Sequence, residues 1–340
     1  APDTSCLMGE VSWTKWELMG APSEALTLTE TFEEEGEVSV KLTLADSAGN
    51  VVSTTRSITI LGEACPTPGE LEVWGQVTDS DINEASGVVM SVQNEDTLWV
   101  HNDSGDTPRF FALASDGSEL GTWNLTTVIK DWEDLTYGYD ETLETEVLYI
   151  GDVGDNAKSR PNITIYIVPE PIVNTESEAS DHEVKDWSSM RLTYPEGASH
   201  NCETLMRDPL SGDLYLVVKS GDGVSPVFRK AAPHVDGSES ELEWIAELNF
   251  GVAPLTGSKS TTAGDFSPSG DRVIIRTYSD AYLWRRQEGE SLAEVFSKDA
   301  CNVNAADENQ GEAITFTQDG QGYITISEGV NQSINYRPLD

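Results

Sequence analysis

Apolar and polar residues alternate in short runs along most of the chain, and segments with the 3.6-residue period of a helix are nearly absent. The clearest alternation is EVSVKLTLA at 37–45, followed by the turn sequence DSAGN at 46–50 and a second alternating run at 51–61. That pattern predicts a hairpin. Residues 8–16 and 25–32 add two short predicted strands. The stretch EACPTPGE at 63–70 has two prolines, a glycine and no period, so it reads as a linker. The expected layout is a small β-sandwich at 1–62, a linker at 63–70 and a larger body at 71–340.

The larger body repeats itself. One unit runs EDLT (133–136), VLYIGD (147–152), ITIYIV (163–168). The next runs ETLM (203–206), DLYLVV (213–218), VFR (227–229). Two later units start at 262 and 312 and an earlier one at 86. Each gives three short strands joined by tight turns. Fourth strands are expected at 122–125, 189–194, 243–248 and 293–296. Four-stranded antiparallel sheets repeated radially make a β-propeller. The expectation is therefore an all-β chain ending in a five-bladed propeller, with six blades as the alternative. The last unit has no fourth strand before the chain ends, and LEVWGQV at 71–77 is left to close the ring on it.

Composition narrows the function classes. There are 60 Asp and Glu against 20 Lys and Arg, a formal charge of -40. Such a chain does not grip nucleic-acid phosphates or anionic membranes. It concentrates cations and stays soluble in salt, which fits a secreted, marine or halophilic protein. No apolar run approaches the roughly 18 residues of a membrane span. Ala1 is followed by no charged or apolar leader, as expected where a signal peptide has been removed. Four cysteines fit two disulfides in an oxidising compartment, and Cys6–Cys65 with Cys202–Cys301 is the expected pairing. A monomer is expected.

Aligning the repeats by their turns puts one residue of each unit at the start of the innermost strand: Ser86, Glu133, Glu203, Thr262 and Glu312. In a propeller these face the central axis. Three carboxylates that close either take up protons or share a cation. Oxygen donors without His or Cys select a hard ion, Ca2+ before Mg2+. Hydroxyl, Glu, Glu, hydroxyl, Glu on successive blades resembles the central calcium site of the calcium-activated nucleotidases (apyrases), five-bladed propellers with one ligand per blade. The motifs WVHNDSGD, DWEDL, IGDVGDN, VPEP and RTYSDAYLW are similar to those of a group of secreted bacterial propellers of uncharacterised function. The hairpin at 37–61 resembles the second half of a PKD or immunoglobulin-like domain, which implies a spacer.

Loops opening on the same face add further candidates. Asp152, Asp155 and Asn156 form a second candidate calcium loop, with plain turn chemistry as the alternative. Arg109, Lys158, Arg160, Lys219 and Arg276 fall in or beside these loops and are candidates to hold an anionic group. His101 and Asp134, with Asp152 or Asp265, are candidates to activate water, so the expected catalytic set is His101, Asp134, Lys219 and Arg276. Nucleophile-elbow, zincin, phosphate-loop and dinucleotide motifs are absent. Three functions remain in play. One is an extracellular calcium-binding recognition module for a small anionic ligand, a glycan or a surface protein. The second is a calcium-dependent hydrolase of phosphoanhydrides or phosphoesters, and the third a lactonase or esterase.

Overall fold

The computed structural model describes residues 11–18, 21–23, 36–60, 65–252, 255 and 257–339. The chain divides into two compact units, Ala1–Cys65 and Pro66–Asp340.

In the first unit the described residues form one four-stranded antiparallel sheet, in the order Ala21–Ser23, Val11–Leu18, Gly36–Asp46, Val51–Ile60. The expected hairpin is there. Asp46 fixes its turn by accepting the Ala48 and Asn50 N–H groups at 2.9 Å each. The strand expected at 25–32 and the cysteine Cys6 lie outside the described residues.

The second unit is a five-bladed propeller. Its inner strands are Ala85–Met90, Trp132–Asp140, Cys202–Arg207, Thr261–Phe266 and Gly311–Phe316. Each packs against the next, and the fifth packs against the first, which closes the ring at five. Five separate apolar clusters fill the five blade interfaces. Between the first two blades, for example, Trp99, Phe110 and Trp123 meet Trp132, Leu148 and Tyr166. Burying each such side chain contributes about 1.5–3 kcal/mol, so the alternating pattern is spent on blade-to-blade contact.

The ring closes as expected. Glu72–Gln76 pairs antiparallel with Ser333–Pro338, the last strand, and supplies the fifth blade's outer strand. Two features were not anticipated. The first two blades carry fifth strands, Asp181–Val184 and Glu239–Glu241, added in parallel. The fourth strand expected at 293–296 is instead the helix Leu292–Phe296, followed by the two-residue strand Cys301–Asn302. The helix starts because Ser291 accepts the Glu294 N–H while the Glu294 carboxylate accepts the Ser291 N–H, a reciprocal cap.

The expected Cys202–Cys301 pairing fails. Cys202 is a free, buried thiol on an inner strand, whereas Cys65 and Cys301 are both disulfide-bonded. Among the described residues, no helix is long and apolar enough to cross a membrane.

Candidate functional site

The five axial candidates occupy equivalent places for a backbone reason. Each inner strand shifts register at its start, and the residue left unpaired by that bulge is Ser86, Glu133, Glu203, Thr262 and Glu312 in turn. A bulge re-aims its side chain away from the regular alternation. All five are buried at one end of the channel.

They do not behave alike. The Ser86 hydroxyl donates to the Glu133 carbonyl at 2.5 Å, and the Thr262 hydroxyl to the Gly311 carbonyl at 3.0 Å. Both hydroxyls thus stitch a blade to its neighbour. Glu203 has two partners, the Lys219 ammonium at 2.7 Å and the Asn201 amide at 2.9 Å. Lys219 also donates to the Tyr278 hydroxyl at 2.8 Å, which donates to Glu312 Oε1 at 2.6 Å. Glu312 Oε2 is buried with no hydrogen-bond partner. No hydrogen bond reaches the Glu133 carboxylate from the described residues.

A second tier covers the first. It is made by the residues that follow the second strands, Asp103, Val153, Lys219, Tyr278 and Glu328, with Asp131 just before the second inner strand. Asp103, Asp131 and Glu133 each bring an oxygen within 4.8 Å of the others. The sequence reading assigned none of Asp103, Tyr278, Glu328 and Asp131 to the site. The signal was the constant offset from the second-strand ends.

The electrostatics follow from crowding. Burial, then Glu203, Asp103 and Asp131, push Glu133 well above the ordinary carboxylate range. Burial also raises Glu203 and Glu328 to about 7, with Glu312 adding to both. Asp103 rises to about 6 through burial, helped by Asp131 and Glu312. Burial alone would lower Lys219, but Glu203 and Glu312 hold its ammonium charged. Lys219 beside Glu203 and Glu312, and Arg160 acting on Asp131, offset only part of this negative charge.

The residues expected to do chemistry are committed elsewhere. His101 lies in the strand Thr97–Asn102 rather than in a loop, and is fully buried with Nδ1 2.8 Å from the Asn102 carbonyl. Burial lowers it to about 4, so it is neutral and out of reach of solvent. Asp134 accepts the Leu205 N–H of the next blade at 3.0 Å and the Leu135 N–H at 2.9 Å. Asp265 does the same for the Phe316 N–H and Thr315 hydroxyl, at 2.9 and 2.8 Å. Both are inter-blade clasps. Arg276 is wholly buried in a strand, where it pairs with Glu308 at 2.9 Å and donates to the Ala313 carbonyl at 3.0 Å. Lys219 reaches the mouth, but as the partner of Glu203.

The second calcium loop already holds a cation. The Arg160 guanidinium lies 2.7 Å from Asp152 Oδ1 and donates to the Gly154 and Asp152 carbonyls. Asp155 Oδ2 accepts the Ser159 and Arg160 N–H groups, and the Asn156 side-chain oxygen accepts from Asn201. Asp152 also accepts the Lys130 and Asp131 N–H groups at 3.1 Å, which positions Asp131 at the mouth. Arg109 is held by Asp106 and Asp81.

No family model and no curated protein matches the chain. Among solved structures it is similar to the β-propeller domain of Cps50 (Swd1) from Myceliophteria thermophila, at 10% identity and a TM-score of 0.39, covering 78% of this chain and 99% of that one. It is also similar to a family AA12 carbohydrate-active enzyme from Trichoderma reesei, at 10% identity and a TM-score of 0.40, covering 83% of this chain and all of that one. Likeness at this level says nothing of activity. The blade count rests on the strand pairing above.

Proposed function

We propose that this chain is a secreted calcium-binding recognition module, with a hard divalent cation at the mouth of its channel and a PKD- or immunoglobulin-like spacer at its N-terminus. The observation that carries the reading is the fivefold bulge. It delivers three glutamates to one buried end of the channel, among further carboxylates, with Lys219 the ammonium that pairs with them among the described residues.

The donor set fits calcium. It offers oxygen only, from carboxylates and hydroxyls, and oxygen-only sites favour hard ions. Glu312 Oε2 is a buried acceptor without a hydrogen-bond partner, which marks the mouth as short of positive charge. Glu133 is 2% exposed as a residue, and its carboxylate accepts no hydrogen bond from the described residues. Leaving such groups ionised and unpaired costs several kcal/mol each.

Recognition is favoured over hydrolysis because His101, Asp134 and Arg276 are buried in structural roles. A partner bearing an anionic group, whether small molecule, glycan or surface protein, would complete the ion's coordination. The acidic surface and the disulfide-bonded cysteines support an oxidising, extracellular setting.

Calcium titration of chelator-stripped protein tests this. Calcium at 100 times its dissociation constant stabilises by about 2.7 kcal/mol, seen as a rise of several degrees in Tm. An unchanged Tm up to millimolar calcium, with no heat of binding, overturns the reading.

A further inference from the structure

The carboxylates at the mouth fall into two sets. Glu203 is taken by Lys219 and Asn201, and one oxygen of Glu312 by Tyr278. Ser86 and Thr262 spend their hydroxyl protons on main-chain carbonyls. The side of the ring occupied by Glu133 is different. Its carboxylate is buried and accepts no hydrogen bond, and Asp103 and Asp131 reach it from two separate loops.

The spacing suits one ion. Two ligands 2.3–2.6 Å from a calcium ion are at most about 5 Å apart, and the three oxygens lie within 4.8 Å of one another. The backbone is shaped around the same spot. A Cβ added at Gly154 would stand 2.0 Å from Glu133 Oε1 and 2.5 Å from Asp131 Oδ2, so only a glycine leaves this cradle open. Asp152 holds the Asp131 N–H, and Arg160 holds Asp152, so Asp131 is aimed by a braced loop.

We propose that the divalent ion sits off the axis, on Glu133, Asp131 and Asp103, and that Lys219 is the resident counter-ion of Glu203 and Glu312. The inference rests on the calcium-binding reading and specifies its site. The mouth then holds one hard dication and one ammonium, instead of one ion on five axial ligands. Asp103 and Asp131 are only half-buried, so the ion's remaining positions open toward solvent on their side. An anionic partner would approach there.

Terbium luminescence on the full chain tests the placement, with calcium as competitor. Trp132, next to Glu133, is within range to sensitise the ion. Asp131→Asn, Asp103→Asn and Gly154→Ala should each weaken terbium and calcium binding by about 10–100-fold, the loss common when a metal's supporting groups are removed. Thr262→Val, which removes a hydroxyl already spent on the Gly311 carbonyl, should stay within about threefold of the parent. Asp103 is half-buried in a loop, so its variant reports even where Asp131→Asn does not fold. Unchanged binding in the Asp103 and Gly154 variants, with a tenfold loss in Thr262→Val, overturns the off-axis site and leaves the calcium reading standing. No terbium or calcium binding by the parent overturns both.

Discussion

Trp99 donates its indole N–H to Oε1 of Glu170 across 2.8 Å, and the two residues belong to neighbouring blades. The Ser91 hydroxyl and the Asn94 amide converge on the same carboxylate, which is 5% exposed. Glu170→Ala would strand the Trp99 and Ser91 donors, while the Asn94 amide keeps the Pro171 carbonyl at 2.9 Å. A buried donor left without its acceptor costs about 1–3 kcal/mol. The variant should therefore lose at least that much stability in urea, with an unchanged denaturant slope. An unaltered midpoint would show that the clasp contributes nothing.

Lys219→Met removes the ammonium that pairs with Glu203 at the mouth. The pair it breaks is partly exposed on the lysine side, 22%, and nearly buried on the Glu203 side, 5%. The expected loss is about 2 kcal/mol in chelator, below the roughly 3–5 kcal/mol of a fully buried pair. Equilibrium unfolding with and without calcium measures it, and stability equal to the parent's would rule out the counter-ion role.

Asp265 gives the fold a pH dependence of known sign. Burial raises its carboxyl from 3.8 to about 7, even though Phe316, Thr315 and Phe266 donate to it. The folded state then binds more protons than the unfolded state across that interval. Stability is highest at the acid end, declines as pH rises from about 4 to about 7, and levels off above. Asp265→Asn should flatten part of this decline. It should also cost about 1–3 kcal/mol, because an amide cannot accept on both sides. Urea midpoints from pH 4 to pH 8 check both; an identical slope in the variant would count against Asp265 as a source.

Arg276→Met should unfold more readily by about 3–5 kcal/mol, since Glu308 would be left buried without its cation. Gly311→Ala approaches the same pair from the other side. Its Cβ would fall 1.6 Å from Arg276 Nη2, so about 1–3 kcal/mol of overpacking is expected. Melting temperatures of the two variants decide this. Parent-like values would return Arg276 to the list of residues free to bind a ligand.

Much of the propeller was legible because its blades repeat. The strand runs, the closing strand at Glu72–Gln76 and the station holding Glu133, Glu203 and Glu312 all follow from a period that survives in the sequence. The bulges that aim those residues leave no local mark and appear only once strands pair. Asp131 was hidden because its role depends on Asp152 and Gly154, some twenty residues away. His101 looked like a loop residue, and Arg276 like the neighbour of one, because strand ends cannot be fixed to within a residue or two from pattern alone. The helix at Leu292–Phe296 was a different kind of miss. Its Ser291–Glu294 capping pair stands in the sequence, in a segment read only as a fourth strand.

The final blade is assembled from both ends of its unit: Ser333 stands opposite Gln76, and Tyr336 opposite Glu72. On a ribosome that emits the chain from its N-terminus, Glu72–Gln76 emerges first and has nothing to pair with until the last three strands follow. The ring therefore stays open until Ser333–Pro338 has been made, and a product truncated before residue 333 would leave that early strand with an open edge.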